Sequence, residues 1–204
     1  MCGGRGTRLG GEAEKPLVEI ARTPMVDRVL AALSASRVET VHAVVSPHAP
    51  KTHEHLAEVA GDDADLEILD APGDGYVEDL GYALDSVGKP VVSVAADLPL
   101  VAAAHVDEVV AVAVGDEDTA LDSDARSTPD SDARSVTVCV PAALKHRLGA
   151  SVDTTFDSGG RNLAPTGLNV VAAGDEYVHV SYDARLAVNV NRPPDIALAE
   201  ALCD

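Results

Sequence analysis

Hydrophobic and polar positions along this chain form short apolar runs separated by amphipathic stretches. This pattern predicts α-helices on both faces of a mostly parallel β-sheet, which is a three-layer α/β fold. Strands are predicted at 41–45, 66–69, 91–95, 136–140, 168–173, 177–181 and 187–190. Helices are predicted from Thr23, near 50–60, 76–87 and 102–113, and after Pro193-Pro194. For the first helix, Thr23 is the predicted N-cap and Pro24 the first helical residue.

The segment 115–135 departs from this pattern because it is rich in Asp, Ser and Ala. It contains the hexamer Asp-Ser-Asp-Ala-Arg-Ser twice, at 122–127 and 130–135. Two copies cannot form a stacked repeat, and a run this polar cannot bury an apolar face. We therefore predict an acidic surface loop within a single domain of residues 1–204.

Charge narrows the classes of partner. The 34 acidic residues outnumber the 15 Lys and Arg, for a formal net charge of −19. A field of this sign repels phosphate backbones and anionic lipids, so we expect no nucleic-acid partner and no membrane insertion. Such acidity is typical of cytoplasmic proteins from salt-loving organisms, which is the localisation and source that we predict. The three cysteines lack C-x-x-C spacing, which indicates neither a disulfide framework nor a zinc site.

The opening of the chain is an exception to this acidity. Closely spaced glycines between residues 3 and 11 let backbone N–H groups surround an anion, while Arg8 and Lys15 supply positive charge. A Walker A loop would need Gly-Lys-Ser/Thr at its end, but Gly11 is followed by Glu12. The segment therefore predicts a phosphate-binding site of another kind.

These residues resemble the opening motif of nucleotidyltransferases with a glycosyltransferase-A-like Rossmann fold: Gly3-Gly4-x-Gly6-Thr7-Arg8-Leu9-Gly10-Gly11, then Glu14-Lys15-Pro16-Leu17. Further segments are similar to archaeal GTP:adenosylcobinamide-phosphate guanylyltransferases, namely 46–52, 73–80, 96–98 and 167–171. The related molybdenum-cofactor guanylyltransferases would carry a Gly-Pro-Leu-type segment around 73–80, so its absence favours the corrinoid acceptor. The resemblance implies transfer of GMP from GTP to adenosylcobinamide phosphate with release of pyrophosphate, and Mg²⁺ as cofactor.

The resemblance also implies roles for individual residues. The phosphates would be cradled by Gly3, Gly4, Gly6 and Thr7. The catalytic residues would be Arg8, Lys15 and Asp97, and Mg²⁺ would be held by Asp97, Asn189 and Asn191. Guanine recognition would fall to Ser46, Asp70, Gly75 and Glu78, and the acceptor would contact Asn169. Asp97 follows a buried strand, where open α/β sheets place ligand-binding groups, although it could also cap a helix.

Several points stay open at this stage. A molybdenum-cofactor guanylyltransferase, a sugar-1-phosphate nucleotidyltransferase and a non-catalytic GTP-binding module remain as alternatives. The second metal ligand, the carboxylate that recognises guanine, and the oligomeric state, a homodimer included, are undetermined. The family places a strand of about five apolar residues before the glycine motif, but Met1 stands almost directly on it. We expect translation to begin upstream; otherwise the sheet lacks a central strand.

Overall fold

The computed structural model describes residues 1–2, 9–10, 13–62, 65–115 and 133–203. The helices are α1 Met25–Ser34, α2 Pro50–Asp62, α3 Tyr76–Val87, α4 Ala103–Val114, α5 Ala142–Leu148 and α6 Pro193–Ala201. The strands are β1 Glu19–Ile20, β2 Thr23–Pro24, β3 Val41–Val45, β4 Leu66–Asp70, β5 Val91–Val94, β6 Ser135–Pro141, β7 Phe156–Ser158, β8 Arg161–Val171 and β9 Glu176–Val180. Short 3-10 turns lie at Lys15–Leu17 and Ala184–Ala187.

The central sheet is mostly parallel, as predicted, with one reversed strand. β3 pairs with β4 and β6 with β9 in parallel, whereas β8 is antiparallel to β5, β6 and β7. Met1 and Cys2 join β3 to β5: Cys2 N donates to Val44 O at 2.8 Å, Met1 N to Val94 O at 3.0 Å, and Ala96 N to Met1 O at 3.1 Å. β3, β4, β5, β6 and β9 therefore run in one direction, and their carboxyl ends share one edge.

Helices cover both faces of this sheet and complete the three-layer fold. Alternate residues of β3 point to opposite faces, so Ala43 and Val45 pack in the cluster with α1 and α2, while Val44 packs against Ala83 of α3. A larger cluster joins α1 and α4 to β5, β6 and β8. Its members are mainly Val, Ala and Leu, as a chain with one Phe and no Trp requires.

A groove of about 610 Å³ lies between β3 and β5, with α1 and α3 on its sides. Its walls are mainly apolar and reach back to Val41 and Val91, the first residues of the two strands. Met1 and Cys2 fill only the end nearest the carboxyl ends of the strands. Met1 and Cys2 therefore occupy part of the position expected for a first strand, at the end nearest the carboxyl ends of β3 and β5.

Some predicted elements differ from the structure. No strand forms at 187–190, because the chain makes a 3-10 turn and then follows the turn at Asp97, with Val190 N donating to Asp97 O at 2.9 Å. Thr23 does not cap α1: it lies in β2, and Pro24 occupies the N-cap position without a side-chain hydrogen bond. α5 and β7 were not predicted. Of the acidic loop predicted at 115–135, residues 116–132 lie outside the described residues, so the loop and the single-domain organisation stay predictions.

Within the described ranges, no helix is both long enough and apolar enough to cross a bilayer.

Candidate functional site

A cleft of about 350 Å³ opens at the edge where the parallel strands end. Lys15, Pro16 and Asp97 line one part of it, and residues 73–76 with Asp79 line another. Open α/β sheets bind ligands outside the carboxyl ends of their strands, so this is the place where a ligand site is expected. The cleft is our candidate functional site.

Glu14 anchors the segment that carries Lys15. Its carboxylate accepts hydrogen bonds from Lys51 N at 3.0 Å, Thr52 N at 2.7 Å and the Thr52 hydroxyl at 2.7 Å, in the first turn of α2. Burial raises the pKa of Glu14, but the hydrogen bonds from Thr52 and Lys51 outweigh it and the pKa is lowered. Pro16 is buried in the following 3-10 turn. Lys15 is therefore held at the cleft from both sides.

Lys15, Asp97 and Asn191 meet at this end of the cleft. Lys15 Nζ donates to Asp97 Oδ2 at 2.5 Å and to Asn191 Oδ1 at 2.6 Å. The side chains of Lys15 and Asp97 are 16% and 21% exposed, so a ligand can reach them. The structure thus brings Lys15 together with Asp97, which is 82 positions away in sequence, and with Asn191, which is 176 positions away.

Asn189 contacts the other oxygen of Asp97. Its Nδ2 donates to Asp97 Oδ1 at 3.1 Å and to Thr166 O at 2.7 Å. Its Oδ1 accepts from Lys145 Nζ at 2.9 Å. The side-chain oxygen of Asn189, which we expected to hold metal, is therefore bound to an ammonium group in this structure.

Lys145 was not predicted from the sequence. It lies on α5, is 3% exposed, and also donates to Ala187 O at 2.9 Å. Burial lowers its pKa, an effect opposed by the negative charges of Asp97, Asp195 and Asp153. A lysine in a short run containing His146 and Arg147 looks like a surface residue, and only its tertiary position distinguishes it.

Gly167 brings β8 close to the turn before Asp97. Its φ is +86°, and a Cβ there would lie 2.8 Å from the Ala95 Cβ. Ala95 N donates to Gly167 O at 2.9 Å. A larger residue would push apart the two segments that carry Asp97 and Thr166.

Asp195 fixes the backbone at Asn191. It is 1% exposed and accepts four hydrogen bonds: Ser151 N at 2.8 Å, Ser151 Oγ at 2.7 Å, Asn191 N at 3.0 Å and Arg192 N at 2.8 Å. Burial raises the pKa of its carboxyl, but these hydrogen bonds, led by those from Ser151, outweigh it and the pKa is lowered. Asp195 therefore stabilises the fold only when ionised.

We predict that Asp195→Asn lowers the free energy of unfolding by about 2–4 kcal/mol at pH 7, because buried donors lose a charged acceptor. A carboxyl whose pKa is lowered on folding stabilises the protein above its unfolded pKa of about 4, and this contribution disappears as the pH falls through the folded pKa. Denaturant unfolding should thus show a smaller difference between variant and wild type at pH 3 than at pH 7. Asp85→Asn on the exposed side of α3 is the control; an equal difference at both pH values would contradict the prediction.

The loop before α3 forms the other part of the cleft. Asp79 is buried, and its Oδ1 accepts from Gly73 N at 2.8 Å. Gly73 has a φ of +82°, and a Cβ on it would lie 2.8 Å from Pro47 Cδ. Gly75, which sequence analysis assigned to guanine recognition, lines the cleft at the N-cap of α3. Asp79 was not predicted, because nothing in the local sequence distinguishes it from the neighbouring acidic residues.

Asn189 and Asn191 contact Asp97 and Lys15 without lining the cleft, and four other predicted residues do not line it either. Ser46 is buried, and its hydroxyl accepts from His48 N at 3.2 Å. Asp70 is exposed and pairs with a histidine of α2 at 3.2 Å. Glu78 is exposed on the first turn of α3. Asn169 lies in β8 between β5 and β6.

The residues predicted to cradle the phosphates and one predicted catalytic residue lie outside the described residues: Gly3, Gly4, Gly6, Thr7 and Arg8. Their roles stay predictions. Met1 and Cys2, which precede this segment in the sequence, and Lys15, which follows it, all line the cleft.

Comparisons with known proteins show which family the chain is similar to. The MobA-like NTP transferase domain family matches residues 1–170. An adenosylcobinamide-phosphate guanylyltransferase from Methanocaldococcus jannaschii is 30% identical over 99% of this chain and 94% of its own length.

Two solved structures share the fold at low identity. A CMP:2-keto-3-deoxy-manno-octonic acid synthetase complexed with CTP superimposes with a TM-score of 0.59 at 12% identity, over 96% of this chain and 95% of its own. A putative glucose-1-phosphate thymidylyltransferase from Bacillus anthracis gives a TM-score of 0.62 at 13% identity, over 98% and 93%. The family match covers most of the chain, and the chain therefore belongs to the MobA-like NTP transferase family of nucleotidyltransferases.

Proposed function

We propose that this chain is a guanylyltransferase that converts GTP and adenosylcobinamide phosphate into adenosylcobinamide-GDP and pyrophosphate. An oxygen of the acceptor phosphate attacks the α-phosphorus of GTP, the bond from that phosphorus to the bridging oxygen breaks, and pyrophosphate leaves. The observation that carries the proposal is the Lys15–Asp97–Asn191 cluster in a cleft at the sheet edge, in a chain similar to a relative of that name.

Lys15 binds the phosphates in this proposal. Its ammonium group contacts the Asp97 carboxylate and the Asn191 amide oxygen, and an anionic phosphate oxygen can take the place of the carboxylate oxygen as its charged partner. Phosphoryl transfer depends mainly on positioning and on neutralising charge that builds up on the phosphates. Arg8 and the glycines of the opening motif would add further donors around the same anion.

The oxygens of Asp97 and Asn191 suit Mg²⁺. Both contact a cation, here the Lys15 ammonium, and both are hard oxygen donors of the kind that Mg²⁺ prefers. Among the described residues, no cluster of three or more His, Cys, Asp or Glu side chains could hold a metal. Mg²⁺ commonly keeps several waters and binds through one or two protein groups plus substrate phosphates. When bound here, it would neutralise charge on the transferring phosphoryl group.

The loop at 73–76 is the proposed guanine site. A carboxylate can accept from guanine N1–H and the 2-amino group, whereas adenine offers no such pair of donors. Asp74 lines the cleft, and the Oδ1 of the neighbouring Asp79 is occupied by Gly73 N. Asp74 therefore fits this role better than Asp70 or Glu78, and Gly75 lines the cleft beside it.

The rim of the cleft offers an apolar surface for the acceptor. Tyr76 and Val77 are 48% and 74% exposed at the start of α3. The Tyr76 hydroxyl lies 3.3 Å from Ser93 Oγ, and Ser93 pairs with Asn169 across β5 and β8. A corrin macrocycle presents a large apolar surface, so this rim supports the proposed acceptor and the acceptor-side role of Asn169.

The direct test is a pyrophosphate-release assay with Mg²⁺ at molar salt, since the acidic surface suits high ionic strength. We expect turnover with GTP and adenosylcobinamide phosphate, and at least about tenfold lower kcat/KM with ITP, which lacks the 2-amino group. Turnover only with molybdopterin or a sugar 1-phosphate would show that the acceptor is not adenosylcobinamide phosphate. Tight GTP binding without pyrophosphate release from any acceptor would contradict catalysis and indicate a binding module.

A further inference from the structure

Burial of the Lys145 side chain lowers the folding stability unless its charge is compensated. It is 3% exposed, and both of its hydrogen-bond acceptors, Ala187 O and Asn189 Oδ1, are uncharged oxygens. Burying an ammonium group is unfavourable unless charge and hydrogen bonding compensate, and an apolar side chain of similar length usually costs less. The negative charges of Asp97, Asp195 and Asp153 compensate part of this cost. The hydrogen bonds of the lysine indicate a role in addition to stability.

The amide of Asn189 has one possible orientation. An ammonium group only donates, so Lys145 must face the amide oxygen. The Asp97 carboxylate and the Thr166 carbonyl only accept, so they must face the amide nitrogen. The amide is thus held from both ends, with its nitrogen facing Asp97 and its oxygen facing the Lys145 ammonium group instead of the Asp97 carboxylate.

We propose that Lys145 is a positioning residue that acts through Asn189 to orient the Asp97 carboxylate. Asn189 Nδ2 fixes Asp97 Oδ1, which leaves Oδ2 directed at Lys15 and the cleft. Asn189 is then a support for the carboxylate instead of a metal ligand. The inference rests on the proposed function in that Asp97 is taken as the carboxylate that holds the divalent cation.

For the variant Lys145→Met, the loss of charge and the loss of support for Asn189 predict opposite changes in cation affinity. Removing the Lys145 ammonium removes a positive charge near Asp97, which by itself would tighten the binding of a cation. Losing the hydrogen bond that positions Asn189 would weaken the binding of a cation, because residues that orient metal ligands contribute to metal affinity. We expect Lys145→Met to weaken Mn²⁺ binding by at least about fivefold, measured by electron paramagnetic resonance on the nucleotide-free protein. Binding equal to or tighter than that of the wild type would overturn the proposal.

Further variants separate the roles. Lys145→Gln keeps a neutral donor one bond shorter, and we expect its Mn²⁺ affinity to lie between those of Lys145→Met and the wild type. The double variant Lys145→Met/Asn189→Ala should bind Mn²⁺ no more weakly than Asn189→Ala alone, because Lys145 acts through Asn189. Additive losses, or identical affinities of the Met and Gln variants, would contradict this. Lys89→Met, at an exposed position, is the matched control and should be unchanged.

Turnover gives an independent readout. In the pyrophosphate assay, we expect Lys145→Met to lower kcat by about tenfold with the KM for GTP within about threefold of wild type. Removing a buried charge raises stability, whereas leaving Ala187 O and Asn189 Oδ1 without this donor lowers it, so the thermal midpoint should change little. A parallel loss of stability and activity would indicate a structural role and overturn the proposal. Mn²⁺ binding is measured without nucleotide, so a wild type that releases no pyrophosphate would contradict the proposed function and leave this comparison valid.

Discussion

Replacing Asp97 with Asn will lower kcat by about 10³-fold, which corresponds to about 4 kcal/mol of lost transition-state stabilisation. The amide keeps the shape of the carboxylate but lacks the charge that pairs with Lys15 at 2.5 Å and would hold Mg²⁺. The KM for GTP should change much less, because the loop at 73–76 and the glycine motif still bind the nucleotide. Steady-state pyrophosphate release at saturating GTP and acceptor measures the effect.

Asp85→Asn is the matched control for this variant, since it makes the same change on an exposed position of α3. It should retain wild-type turnover. The Asp97→Asn protein should also lose Mn²⁺ binding in the absence of nucleotide, while its thermal midpoint stays near that of the wild type. Retention of more than one-tenth of the wild-type kcat would show that Asp97 is a structural residue of the turn before Leu98.

Replacing Lys15 with Met will lower kcat/KM for GTP by about 10²-fold, because charge-assisted contacts to phosphate oxygens are lost. Lys15→Arg should recover only part of this activity, since a planar guanidinium does not fit the same two oxygens of Asp97 and Asn191. The ion pair is partly exposed, so the free energy of unfolding should change by no more than about 1 kcal/mol. Initial rates at low GTP and chemical denaturation test the two statements.

The exposed Lys89→Met serves as the control for loss of a lysine, and it should leave kcat/KM unchanged. A Lys15→Met protein with wild-type kcat/KM would remove Lys15 from phosphate binding. A large loss of folding stability in that variant would instead assign Lys15 to holding Asp97 and Asn191 in place.

Periodicity predicted most elements of this fold because apolar runs and amphipathic stretches follow backbone geometry directly. β3, β5 and α3 were predicted within one residue of their ends. Strand direction is not carried by this pattern: β8 reads as an apolar run like its neighbours, and only its pairing reveals that it is reversed. Ala187, Val188 and Val190 are apolar because they are buried in the core, and this short apolar run resembles a strand.

Lys15, Asp97, Asn189 and Asn191 were singled out from motifs, and hydrogen bonds join their side chains beside the cleft. Their functional roles stay predictions. Which atom of the Asn189 amide faces Asp97 depends on Lys145, which is 44 residues away in sequence. Asp70, Glu78 and Asp74 are equivalent loop acids when only the sequence is known. Their directions are set by tertiary contacts, so Asp70 pairs with α2 whereas Asp74 lines the cleft.

The central claim is that the nucleotide phosphates bind where Lys15 meets Asp97. A crystal soaked with a non-hydrolysable GTP analogue and Mn²⁺, with anomalous diffraction to locate the metal, tests it most directly. We expect Mn²⁺ in contact with oxygens of Asp97 and Asn191, the triphosphate at Lys15, and guanine beside residues 73–76. A nucleotide bound elsewhere, with Lys15 still donating to Asp97 and Asn191, would contradict it.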